Sequence, residues 1–261
     1  MPRQSALTVV LAWLCYIFLV APSLIVMPMS FNDSSELIFP PRTFSFRLYH
    51  EFLYGGDWMA ATRESFVVAL VTTIVSVIVG IPAAYALARA EFPGRRLLAM
   101  LLLAPMMVPT IVMGLGLYLY FARLGLSGTT LGLILGHSIL TTPFVMITAL
   151  ASLRQLDANL EVAARVMGAG QMMVFRRVVL PLLVPAAAAG ALFAFLISFD
   201  EVVIAWFVAG VDTATLPVKM YSAIHWEVSP VLPVVSTLLT VLSFVVCTIG
   251  SALQRKTRPD S

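Results

Sequence analysis

The sequence predicts an all-α polytopic membrane protein with six transmembrane helices and a short amphipathic helix in the loop between spans four and five. Two observations carry this. Apolar residues fill 60% of the 261 positions and charged ones only 11%, at a mean hydropathy of +0.97, a balance foreign to soluble globules and to disordered chains. The apolar residues also gather into six runs of about the 20 residues that a helix needs to cross hydrocarbon. Within those runs Asp200 and Glu201 are the only charged residues.

The first run, 7–29, has a weak basic flank at Arg3 and could pass for a signal peptide. Its apolar stretch exceeds the roughly 7–15 residues of a signal core and no small-x-small site closes it, so it reads as a retained span. The loop 30–64 carries Phe44, Phe46, Tyr49, Phe52, Tyr54 and Trp58. Such rings suit the headgroup region, as a membrane-hugging connector or as a binding surface. Spans two and three follow at 65–88 and 97–121. Span four, 131–153, holds Gly132 and Gly136 in a small-xxx-small spacing that lets helix backbones approach closely, and His137, expected to hydrogen-bond inside the bundle. Spans five and six are 182–208 and 231–253, and the whole of 1–261 reads as a single transmembrane domain without internal repeats. Cys15 and Cys247 lie in apolar runs and read as packing material.

Orientation follows from the basic residues, which favour cytoplasmic loops. With the N-terminus inside, Arg3, Arg89, Arg95, Arg96, Arg154, Arg165, Arg176, Arg177, Arg255, Lys256 and Arg258 fall inside, eleven in all. Outside fall five, Arg42, Arg47, Arg63, Arg123 and Lys219, mixed with acids such as Asp33, Glu36, Glu51, Asp57, Asp212 and Glu227. Both termini are therefore expected in the cytoplasm of a bacterial cell, with the chain in its inner membrane.

The inner loop between spans four and five, 154–181, has a helical pattern of its own. Leu156, Leu160, Ala163, Ala164 and Met167 recur at three- and four-residue steps, with Asp157 or Asn159 to start the helix and Gly168 or Gly170 to end it. Composition alone allows an interfacial helix resting on anionic membrane lipid. The run Glu161-Val-Ala163-Ala164-Arg-Val-Met-Gly168, then nine residues, then Val178-Val-Leu180-Pro181, resembles the cytoplasmic signature of permease subunits of bacterial ATP-binding-cassette importers. The Gly-to-Leu-Pro spacing matches, whereas the acid, Glu161, stands one residue ahead of its place in that signature. The resemblance implies a coupling helix that docks on an ATPase subunit through Glu161, Ala163, Ala164, Gly168, Leu180 and Pro181. Small alanines permit close approach, Gly168 suits a left-handed turn and Pro181 suits the first turn of the next helix.

From Pro28 to Leu242 the chain resembles the second permease of the spermidine/putrescine class. Met29-Ser-Phe-Asn32, Ser198-Phe-Asp200-Glu201-Val-Val-Ile-Ala, Leu216-Pro-Val-Lys-Met-Tyr221 and Ser229-Pro230 carry this similarity. Asp200 and Glu201 sit in the outer part of span five. An uncompensated carboxylate in the bilayer is costly, so the pair reads either as a helix-end cap or subunit salt bridge, or as one wall of a wet cavity that attracts a cation. The resemblance implies a substrate pathway through Ser198, Asp200, Glu201, Thr110 and Tyr49. Thr110 replaces an aspartate of the polyamine permeases and Tyr49 a tryptophan, which leaves a different amine, an amino-acid derivative or an opine open as the solute.

No catalytic constellation or metal site is expected. His50, His137 and His225 are scattered and the two span acids are adjacent on one helix. A stand-alone proton-coupled carrier is the remaining rival. No Gly-x-x-x-x-Gly-Lys loop is present, so ATP and Mg are expected on a partner and no cofactor in this chain. The implied partners are a second similar permease, two ABC ATPase subunits, a periplasmic solute-binding protein, a small-molecule substrate and membrane lipid, with no nucleic acid. Transport would proceed by alternating access.

Overall fold

The computed structural model describes residues 6–34 and 37–257. Arg3, Glu36 and Arg258, and the side chains of Glu227, Cys247, Arg255 and Lys256, lie outside what is described. Among the described residues the chain is helical, with one isolated antiparallel bridge, Asn32 to Phe44. It forms two compact units, one of Met1–Ala60 with Met220–Ser261 and one of Ala61–Lys219.

In the first unit, α1 (Ala6–Met29) packs on α12 (Leu232–Thr257), and so does the short α2 (Arg47–Tyr54). The loop before α2 is held by Arg47, whose Nε donates to Asp33 Oδ1 at 3.2 Å, and by the hydroxyls of Ser30 and Tyr49, 2.8 Å apart. Phe31 packs against Tyr49 and Phe46, while Leu48 and Phe52 of α2 are buried.

The second unit is built around α6 (Thr130–Gln155). It is flanked by α3 (Asp57–Arg89), α4 (Arg95–Leu103) and α5 (Thr110–Leu124), followed by α7 (Asn159–Val166), α8 (Gln171–Val174), α9 (Leu180–Asp200), α10 (Val203–Val208) and α11 (Leu216–Ser222). Val145 of α6 is fully buried. A Cβ on Gly80 of α3 would meet it at 3.2 Å, and one on Gly190 of α9 would lie 3.1 Å from its Cα, so the three helices cross almost backbone to backbone. Ser76 and Thr141 join α3 to α6 at 2.7 Å, satisfying two buried hydroxyls at once. Gly136 instead packs on the side chain of Ile204 in α10, and Gly132 folds against its own preceding loop at Leu126.

Two spans differ from the sequence expectation. The run 97–121 is not one straight helix: α4 passes through a 3₁₀ turn, Ala104–Met106, and meets α5 at a bend of 106°. Pro105 and Pro109 lack the N–H that a continuing helix needs, and Pro109 is extended at ψ 130°. The run 182–208 likewise breaks, because Glu201 is extended (ψ 118°) and separates α9 from α10. At its other end that helix begins earlier, at Gln171, and runs through a π turn, Phe175–Val179, into α9. Pro181 therefore lies inside a continuous helix instead of opening one, and the wide turn just before it relieves the clash of the ring with the preceding turn.

Four helices among the described residues are long and apolar enough to cross a membrane, or five with the bent pair. α12 carries an apolar stretch, Leu232–Val245, up to the point where its side chains fall outside what is described.

Candidate functional site

The loop expected to dock on a partner forms α7, with Asp157 Oδ1 accepting from the Asn159 N–H at 2.9 Å to start it and Gly168, at φ +88°, turning the chain away. No side chain fits that φ without strain, although space around Gly168 is open. Ala163 and Pro181 are exposed, Leu180 is half-buried, and Ala164 is buried in a core with Leu153, Val174 and Val179.

Glu161 does not face outward. It is 3% exposed, and its carboxylate is held on both oxygens: Arg89 Nε donates to Oε1 at 2.7 Å, and the Tyr85 hydroxyl donates to Oε2 at 2.9 Å. The same guanidinium reaches the carbonyls of Leu153 at 3.2 Å and Leu156 at 3.3 Å. The end of α3, the end of α6 and α7 are thus fastened at one point. The position of Glu161, one residue ahead of the acid's place in the signature with Val162 before the two alanines, explains this, since neighbours on a helix point about 100° apart. Arg89 and Tyr85 escape the sequence reading, where Arg89 counts only as an orienting charge. A separation of 72 positions between Arg89 and Glu161 offers no spacing signal, and a basic residue in the last turn of α3 is its only trace.

The residues expected along a substrate pathway separate. Ser198 is buried, its hydroxyl 2.9 Å from Nδ1 of the fully buried His137, the hydrogen bond inside the bundle that the sequence suggested. Nε2 of His137 has no partner among the described residues. Glu201 is buried and its Oε1 accepts the Ile204 N–H at 2.7 Å, so it caps α10 and supplies an acceptor to a helix start that otherwise has none. Asp200, one residue earlier, is exposed, with no hydrogen bond or ion pair to a described residue. Thr110 is exposed as the first residue of α5, just past the bend. Tyr49 belongs to the other unit, half-buried against Ser30 and Phe31. Among the described residues no group of three or more His, Cys, Asp or Glu could hold a metal.

Residues 76–259 match the family described as binding-protein-dependent transport system inner membrane component. The chain is 32% identical over 240 residues to the spermidine/putrescine transport system permease protein PotC of Escherichia coli (strain K12), covering 92% of this chain and 90% of the relative. It is 33% identical over 243 residues to the putrescine transport system permease protein PotI of the same strain, covering 90% and 86%. It is also 33% identical over 199 residues to the trehalose transport system permease protein SugB of Mycobacterium tuberculosis (strain CDC 1551 / Oshkosh), covering 76% and 72%. In fold it is similar to a chain of a bacterial ABC transporter involved in the import of the acidic polysaccharide alginate, with a TM-score of 0.74 at 19% identity over 99% of this chain and 100% of that one. A chain of the MetNI methionine ABC transporter in an inward facing conformation aligns with a TM-score of 0.62 at 17% identity, covering 77% and 96%.

Proposed function

We propose that this chain, which belongs to the family of binding-protein-dependent transport system inner membrane components, passes polyamine-type cations as one permease subunit of an ABC importer. Membership makes it a multi-pass inner-membrane permease component and not the enzyme of its system. The observation that carries the substrate reading is the near full-length similarity to PotC and PotI. Two features of the chain support it: Asp200 is an uncommitted carboxylate at the end of an apolar helix, and Ser198 sits two residues before it. A fixed negative charge beside a narrow, water-poor passage lowers the energy of a cation entering it.

In this reading a solute-binding protein delivers the amine, and a second permease completes the pathway. Two ATPase subunits bind ATP and Mg and move α7 through Ala163, Ala164, Gly168 and the segment up to Leu180 and Pro181. Six spans with both termini in the cytoplasm place α7 on the ATPase side, in line with the eleven-to-five distribution of basic residues. Glu161 serves this docking from behind, by holding α7 to α3.

The test is uptake of labelled spermidine and putrescine by cells that lack other polyamine importers and express this permease with the remaining subunits of its system. Saturable uptake that the unlabelled polyamine competes away is expected. Asp200→Asn should lower it about tenfold, the effect of a charge interaction of ~1.4 kcal/mol, at unchanged membrane abundance. Uptake competed by a neutral sugar or an amino-acid derivative but not by polyamines overturns the substrate reading.

A further inference from the structure

A cavity of about 580 Å³ lies between the ends of α3, α4 and α6, and its lining changes character along its length. On α4 a row of Arg95, Ala99 and Leu103 lines it, with Arg96 beside Arg95, and on α6 a row of Arg154, Leu150 and Met146. Both rows step four residues at a time, so each follows one face of its helix for about 12 Å. Each has an arginine at the loop end and apolar residues one and two turns further in. Leu87 and Ala88 of α3 continue the apolar part.

The arginines at the mouth are not equivalent. Arg89 is committed to Glu161 and two carbonyls. Arg95, Arg96 and Arg154 are exposed, and none of their side chains has a hydrogen bond or ion pair with a described residue. Glu91 borders an adjoining hollow with Arg95 and Arg96 without an ion pair to either, so the mouth keeps an excess of positive charge. Gly94, at φ +83°, starts α4 without a side-chain cap, which turns the positive end of that helix toward the same place.

We propose that this cavity binds an anionic phospholipid, its phosphate held by Arg95, Arg96 and Arg154 and an acyl chain lying along Ala99, Leu103, Leu150 and Met146. Guanidinium groups match phosphate oxygens in pairs, and basic pockets between membrane helices suit anionic headgroups. A free phosphate would leave two helical turns of apolar lining without an occupant. An acidic segment of a partner protein would do the same, whereas a lipid has a charge at one end and hydrocarbon along the rest.

Native mass spectrometry of the full chain in detergent tests this with dioleoyl phosphatidylglycerol, dioleoyl phosphatidylcholine and inorganic phosphate as probes. Phosphatidylglycerol should bind more tightly than phosphatidylcholine, and inorganic phosphate should not displace it. Each Arg→Gln change at 95, 96 and 154 should reduce the preference about fivefold, and R95Q/R96Q/R154Q together about a hundredfold. R154Q alone, at an exposed helix end, keeps the test decisive where the triple variant fails to fold. Equal binding of the two lipids, or a preference undiminished in the variants, overturns the proposal. Displacement by inorganic phosphate reduces the cavity to an anion pocket and overturns it too. Loss of the lipid when the other subunits of the importer are added assigns the arginines to a protein interface, and the lipid proposal falls with it.

Discussion

Arg89 satisfies one carboxylate oxygen and two main-chain carbonyls with the planar fork of a single guanidinium. Removing it leaves Glu161 buried with a charge answered only by a phenol. Arg89→Ala should therefore cost about 3 kcal/mol, near the lower end for breaking a buried pair because Arg89 is partly exposed. Arg89→Lys restores charge but not the fork and should recover part of the loss. Tyr85→Phe, which deletes one hydrogen bond, should cost about 1 kcal/mol. Thermal unfolding in detergent, with the order Ala, Lys, Phe from largest to smallest loss, checks this ranking, and equal melting of Arg89→Ala and wild type would defeat it. The sequence shows that Glu161 sits in a special loop, but not which way it points. A one-residue offset on a helix turns a side chain from solvent to core, and its partners come from a helix that precedes it by more than seventy residues. His137 was more legible, because a histidine in an apolar span needs a partner, and Ser198 provides it.

At the scale of elements, α6 is the axle of its unit, gripped at Val145 by glycines from both sides. Gly190→Leu forces side-chain atoms into Thr148 and the α6 backbone, and α6 and α9 must separate. The expected loss is about 3 kcal/mol, the upper end for overpacking, read as loss of folded protein in a detergent stability assay. Gly116→Leu, where a Cβ would have open space, is the control and should be tolerated. Small residues at helix crossings were legible as a class, yet the visible motif at Gly132 and Gly136 proved the lesser contact. A four-residue spacing marks one helix face and not which neighbour lies against it; Gly80 and Gly190, each the one glycine of its helix, share that spacing only with Ser76 and Ala84 and with Ala186 and Ala194, among many other small residues. The breaks in spans three and five have a local cause that was on view. Pro105 and Pro109 remove two donors within one turn, and Glu201 turns back to cap the helix after it. A hydropathy window averages over such breaks because the residues on both sides are equally apolar.

For the whole molecule, composition was the most legible property, since an all-helical membrane chain follows from the length of its apolar runs and the need to satisfy every backbone group in lipid. The course of the chain within those runs was less so, because a bend of 106° between α4 and α5 does not register as composition. The chemical character of the proposed docking follows from the inward turn of Glu161. With that acid taken by Arg89, α7 and the Met167 that follows it show the outside world Leu160, Val162, Val166 and Met167, the last two more than 80% exposed, and a single cation, Arg165. A surface of that kind joins a partner by expelling water and not by charge pairing. Calorimetry of the association with the ATPase subunits should then show a negative heat-capacity change, diminished in V166S/M167S, and an affinity that hardly responds to salt. An affinity falling steeply with ionic strength would show that charge pairing dominates the joint. In the cell, a joint of this type grips more firmly in warmth and loosens in the cold, so import should fail on chilling before the membrane subunits themselves come apart.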